Sequence, residues 1–125
     1  AGKAEDAEAL AKAVEAKLGK VDCLFLNAGF GHFEAVAEAS VKEFDAMFDV
    51  NVKGPLLETR CLAPLVKDGG SICINTSVIH EMGMPGSAIY SATKGALRAM
   101  VRVMCKEFAG RKIRVNAVAP GLTAS

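Results

Sequence analysis

Tyr90 and Lys94 stand four positions apart in Tyr90-Ser91-Ala92-Thr93-Lys94. On a helix that spacing puts a phenol and an ammonium on one face, about one turn from each other. A cation about 4 Å away, at an effective dielectric of about 20, offers about 4 kcal/mol to a phenolate before desolvation opposes it. The pair therefore has the spacing of a proton-transfer couple. Lys94 also begins the series Lys94, Arg98, Arg102 and Lys106, which by itself reads as the solvated basic stripe of a helix. Three other polar side chains fall at element ends: Ser77, thirteen residues before Tyr90; Asn51, beside Gly54-Pro55; and Asn27, heading Asn27-Ala28-Gly29.

The elements that must hold these residues follow from apolar periodicity. Ala4, Ala7, Leu10, Ala11, Val14 and Leu18 fall on one helical face, and Gly19 supplies a stop. Val21 to Leu26 is a short apolar run without alternation, as in a strand buried on both faces. Ser40-Val41-Lys42-Glu43 has capping-box spacing, so a second helix is expected from Val41, with Ser40 and Glu43 satisfying each other's backbone amides. Gly54-Pro55 should bend it beside Asn51 before a helical pattern resumes from Leu56 to Val66, ended by Gly69-Gly70. Ser71 to Asn75 reads as a strand, Ser87 to Phe108 as a long helix, and Lys112 to Val118 as a third strand closed by Pro120-Gly121.

The order αβαβαβ predicts an α/β fold with a parallel sheet, whose ligand crevice lies beyond the carboxyl ends of the strands. Asn27, Ser77 and Pro120 would all face that crevice.

Composition bounds the alternatives. A chain of 125 residues, 51% hydrophobic, is one domain. Fifteen basic against fourteen acidic residues leave +1, which recommends neither a nucleic acid nor an anionic membrane as partner. Apolar runs are too short to span a bilayer, and Ala1 to Asp6 lack the order of a signal peptide, so a soluble cytoplasmic protein is expected. Cys23, Cys61, Cys73 and Cys105 have no C-x-x-C spacing and read as reduced core thiols. His32 and His80 lie far apart and read as loop histidines; no metal site is expected. Ser77 follows a strand but has no G-x-S-x-G elbow, which disfavours a serine hydrolase.

Taken together, Asn27-Ala28-Gly29, Asn51-Val52-Lys53-Gly54-Pro55, Ser77, Tyr90, Lys94 and Pro120-Gly121 resemble the short-chain dehydrogenase/reductase (SDR) family in order and spacing, from about Gly19 through Gly121. The resemblance implies a three-layer, doubly wound Rossmann fold, of which this chain would carry the central to C-terminal half as a single partial domain. It implies an NAD- or NADP-dependent oxidoreductase interconverting a small alcohol and a carbonyl by hydride transfer. Tyr90 would exchange a proton with the substrate oxygen, and Ser77 would hydrogen-bond that oxygen. Lys94 would hold the nicotinamide ribose, and Asn51 would position a relay water. Asn27, Ala28 and Gly29 would lie against the cofactor together with Tyr90 and Lys94, and Pro120, Gly121 and Thr123 would border the nicotinamide. The two long helices would form a homodimer or homotetramer interface, unless Met100, Val103 and Met104 are internal core.

The chain departs from the family pattern at both ends. The phosphate-binding Gly-rich loop is missing, and Gly29-Phe30-Gly31 does not replace it, because position 34 is Glu34 and no helix is signalled there. This chain alone is expected to bind NAD(P) poorly and to be part of a longer enzyme. The competing expectation is a catalytically silent fragment or assembly module of the same fold.

Overall fold

The structure is a computed structural model that describes residues 2–122. Four α-helices and three strands alternate: α1 (Ala4–Leu18), β1 (Val21–Leu26), α2 (Val41–Phe48), α3 (Gly54–Leu62), β2 (Val66–Asn75), α4 (Ala88–Glu107) and β3 (Arg114–Val118). The sheet order is β1-β2-β3 with both pairs parallel, as expected of crossover connections.

Residues of one parity on the strands build the core. Leu26, Val66, Ile72, Ile74 and Val115 on the strands pack with Leu97, Met104 and Ala63 from the helical side. The opposite parity is left uncovered: Phe25, Cys73 and Asn116 are aligned across the three strands, and Phe25 is 55% exposed. The described residues thus supply a sheet and one helical layer of the expected three-layer fold. Of the three α4 side chains in question, Met104 belongs to the core and Met100 packs against it, whereas Val103 faces outward. On α1, Ala7 is buried but Leu10 and Leu18 are exposed, so only part of its apolar stripe finds a partner.

Two local expectations are corrected. Val66 is not the end of a helix: α3 closes through a tight turn at Ala63–Leu65, and Val66 opens β2, opposite Val21. Gly69-Gly70 then lies inside the strand as an irregularity. The ladder advances from Val66 to Ser71 on β2 while it advances only from Val21 to Cys23 on β1. Gly69 takes φ 82°, open to glycine without steric cost, and a Cβ on Gly70 would stand 2.8 Å from the carbonyl oxygens of Asp22 and Lys67. The second correction concerns Ser40. Its Oγ accepts from Glu43 N–H at 3.3 Å, but its own N–H donates to Glu34 Oε1 at 2.9 Å, so Glu34 rather than Glu43 completes the cap.

The expected bend lies where Asn51 sits. Asp49–Lys53 forms one wide turn in which Gly54 N–H reaches back five residues to the Asp49 carbonyl. Pro55 starts the next helical segment and has no N–H to return to the carbonyl of Asn51, four residues earlier.

Candidate active site

The carboxyl ends of β1 and β2 meet beside α4, the end of a parallel sheet where an α/β fold places its ligand crevice. Lys94 comes from the second turn of α4 and is 4% exposed. Its Nζ donates to the carbonyl of Asn75, the last residue of β2, at 3.0 Å and lies 5.6 Å from the centre of the Tyr90 ring. Burial pushes the Lys94 ammonium below its ordinary titration range, because the charged form has lost solvent. Tyr90 itself is only partly buried.

Asn51 is fully buried and its amide is committed to structure. Phe30 N–H donates to Asn51 Oδ1 at 3.0 Å, Asn51 Nδ2 donates to Phe30 O at 2.8 Å, and Nδ2 also reaches Thr93 Oγ1 at 3.1 Å. Thr93 Oγ1 in turn donates to the Tyr90 carbonyl at 2.7 Å. The Asn51 side chain therefore ties the loop after β1 to the turn that carries Tyr90 and Lys94, and any water held by this residue would use its main-chain carbonyl.

Ser77 follows β2 in extended conformation and caps the short turn Val78–His80. Ile79 N–H donates to Ser77 Oγ at 3.2 Å. With one lone pair so occupied, the hydroxyl proton is free to point elsewhere, which suits a donor to a substrate oxygen. The turn is anchored on three sides. Ser91 Oγ on α4 donates to Ile79 O at 3.1 Å, Val78 N–H donates to Pro120 O at 3.1 Å, and His80 Nδ1 contacts the Ser77 carbonyl. Pro120 and Gly121 are thus beside the Ser77 turn. Thr123 lies outside the described residues.

Asn27, Ala28 and Gly29 are exposed at the mouth of the crevice. A Cβ on Gly29 would stand 3.1 Å from Asn51 Oδ1 and 3.4 Å from Lys94 Nζ, so a side chain there would crowd both. Asn75 Nδ2 donates to Asn27 Oδ1 at 2.7 Å, while Asn75 Oδ1 is buried with no partner, an orphaned acceptor at the strand ends where a ligand group would be satisfied. The fit to a nicotinamide nucleotide is good on the ribose side, where Lys94, Tyr90 and Asn75 converge. It is poor for a pyrophosphate: the Phe30 N–H is already taken by Asn51, and α2 begins only at Val41.

Asn75, Thr93 and Ser91 were not singled out by sequence. Asn75 had a signal, a polar residue closing the apolar run Ile72-Cys73-Ile74, and Thr93 had another, a hydroxyl three residues after Tyr90. Among the described residues no cluster of potential metal ligands occurs, and no helix is long and apolar enough to cross a membrane.

A family model described as enoyl-(acyl carrier protein) reductase matches residues 1–125. An uncharacterized oxidoreductase of Methylorubrum extorquens is 43% identical over 118 residues, covering 94% of this chain and 48% of that protein. A 3-oxoacyl-[acyl-carrier-protein] reductase of Thermotoga maritima is 39% identical over 116 residues, 91% of this chain and 47% of that protein. The crystal structure of an alcohol dehydrogenase from Thermococcus sibiricus, complexed with 5-hydroxy-NADP, superposes with a TM-score of 0.92 at 32% identity, covering 99% of this chain and 52% of that one. The chain spans about half the length of the relatives it matches. Its parallel sheet, its bent helix at Asn51 and these likenesses agree: the chain belongs to the short-chain dehydrogenase/reductase family of oxidoreductases.

Proposed function

We propose that this chain is the catalytic half of an NAD(P)-dependent oxidoreductase that interconverts an alcohol and a carbonyl, with Tyr90 as general acid and base. The observation that carries this reading is the buried Lys94 ammonium, 5.6 Å from the Tyr90 ring and held by the Asn75 carbonyl. A nicotinamide nucleotide held beside Lys94 and Tyr90 would supply the hydride chemistry at the carbonyl carbon. The residues of the chain do the rest. Ser77 donates a hydrogen bond to the carbonyl oxygen and orients it. Tyr90 gives its phenolic proton to that oxygen as negative charge develops there, and the Lys94 ammonium stabilises the phenolate left behind. In the oxidative direction Tyr90 takes the alcohol proton. Asn51 keeps the Tyr90 turn and the Gly29 loop in register, and its carbonyl offers a place for a water that returns protons to Lys94. Lys94 and Tyr90 would hold the nicotinamide ribose, with Asn27, Ala28 and Gly29 beneath it and Pro120 and Gly121 beside the ring.

A homodimer or homotetramer accompanies this reading, supported by Val41, Phe44, Leu56 and Val103, apolar and exposed on α2, α3 and α4. A cytoplasmic location is supported by four free cysteines, which suit a reducing compartment. The silent assembly module is the second reading, favoured by the commitment of the Phe30 N–H to Asn51, which leaves no phosphate cradle in the loop after β1. The deciding experiment is oxidation of NADH and NADPH by the full-length protein over a panel of ketones, aldehydes and alcohols. Turnover that disappears in Tyr90→Phe supports the oxidoreductase; no turnover and no binding of either cofactor overturns it.

A further inference from the structure

The loop between β1 and α2 presents an aromatic ring to the catalytic tyrosine and is pinned along its length. Phe30 is bonded twice to Asn51, His32 N–H points at Met47 Sδ at 3.4 Å, and Glu34 N–H donates to Gly86 O at 3.0 Å. Glu34 Oε1 accepts from Ser40 N–H at 2.9 Å, and Glu34 Oε2 lies 3.4 Å from His32 Nε2. Phe33 sits between these anchors, its ring edge-on to Tyr90 with centroids 5.8 Å apart and planes at 61°. A Cβ on Gly31 would stand 3.2 Å from the Phe33 ring and 3.5 Å from Tyr90 Cδ2, so a side chain there would crowd both rings. Phe33 is nevertheless 52% exposed. A ring fixed in place yet half bare has an apolar face ready for something other than the protein.

The charge around the ring restricts what that is. No Lys or Arg occurs between Lys20 and Lys42 or between Lys67 and Lys94, so both loops that flank Tyr90 lack permanent cations. They carry Glu34, Glu38 and Glu81 instead. Arg98 is drawn to Glu81 at 3.5 Å, and Lys94 is tied to Asn75. His32 pairs with Glu34, and the buried His80 contacts the Ser77 carbonyl. The loop that reaches Gly86 adds exposed Met82 and Met84, polarisable and apolar. An anionic substrate would meet carboxylates there and no free cation among the described residues.

We propose that Phe33 determines specificity, and that the site takes a neutral carbonyl or alcohol bearing an apolar, ring-sized substituent next to the reacting carbon. This rests on the oxidoreductase reading for the reaction, but the apolar contact stands on the loop geometry. The substituent lies against the free face of Phe33 while its oxygen reaches Tyr90 and Ser77.

The test uses the full-length protein with acetophenone, butan-2-one and benzoylformate, which separate the ring from the charge. Acetophenone is expected to exceed both others in kcat/KM by about tenfold or more. Phe33→Ala should cost acetophenone about tenfold or more while leaving butan-2-one within about threefold, and Phe33→Tyr should preserve the preference. Equal loss for both ketones would make Phe33 a support for Tyr90 rather than a substrate contact, and benzoylformate turning over as well as acetophenone would overturn the charge argument. Saturation-transfer NMR of acetophenone supplies a readout without turnover. Ring binding that is lost in Phe33→Ala, in a protein that oxidises neither NADH nor NADPH, removes the oxidoreductase reading and keeps this one; no ring binding by the unaltered protein removes this one.

Discussion

The side chain of Asn51 and the backbone of Phe30 hold each other through both of their polar groups, Phe30 N–H to Oδ1 at 3.0 Å and Nδ2 to Phe30 O at 2.8 Å. An amide placed in a wide helical turn thereby imitates a strand neighbour for a loop that has none. Because Asn51 is fully buried, replacement by Leu removes both bonds and leaves two backbone groups to find water. Urea unfolding of Asn51→Leu is expected to show a loss of about 2–4 kcal/mol. A loss below about 0.5 kcal/mol would mean that the loop is held by other contacts.

Tyr90→Phe removes one oxygen from a partly buried ring and leaves its packing with Phe33 intact. Turnover in the full-length enzyme should fall by about a hundredfold or more, with cofactor affinity retained within a few-fold. Single-turnover kinetics and NAD(P)H fluorescence titration on the same preparation separate the two quantities. Unchanged turnover would take Tyr90 out of its assigned role.

Lys94 offers a stability signature independent of activity. Its folded-state pKa is lowered by burial, so in the interval between that value and its unfolded value the unfolded chain binds the extra proton. Stability conferred through this group is therefore least below the folded pKa, where a buried charge must be maintained, and rises as pH climbs toward the unfolded value. Lys94→Met should lack that alkaline gain while losing turnover. Urea midpoints of the two proteins compared from pH 7 to 11 check the sign; parallel curves would show that burial imposes no cost on the ammonium.

Gly69 and Gly70 are adjacent but constrained for different reasons. Gly69→Ala meets no atom within 4 Å and suffers only its φ of 82°, at about 1 kcal/mol. Gly70→Ala drives a methyl to 2.8 Å from two carbonyl oxygens and the Val66 side chain and should cost clearly more. Thermal unfolding of the two variants ranks them, and equal losses would place the irregularity of β2 elsewhere.

Sequence periodicity located β1 and α4 to within a residue or so, because a short apolar run broken only by Asp22 and a long amphipathic stretch leave one solution each. It misplaced Val66, since a glycine pair reads equally as a helix stop or as a kink inside a strand, and only pairing with Val21 decides. It chose Glu43 for the Ser40 cap because that residue is near in sequence, whereas Glu34 reaches the same amide through the fold of the loop. The spacing of Tyr90, Lys94 and Ser77 was legible. Their supports Thr93 and Asn75 act through bonds to residues 42 and 48 positions away, and Phe33 had no pattern of its own.

The wide turn at Asp49–Lys53 also sets a phase. Wound regularly, the same residues would carry the later part of the helix around the axis by about 100°; the wide turn absorbs one residue without that rotation. Deleting one residue of Asp49–Lys53 would therefore leave a regular helix whose buried side chains before and after the turn, Met47 on one side and Thr59 and Leu62 on the other, stay in step. What would go is the wide turn that holds Asn51 against Phe30: a clone short by one codon there would keep the helix and lose the strap.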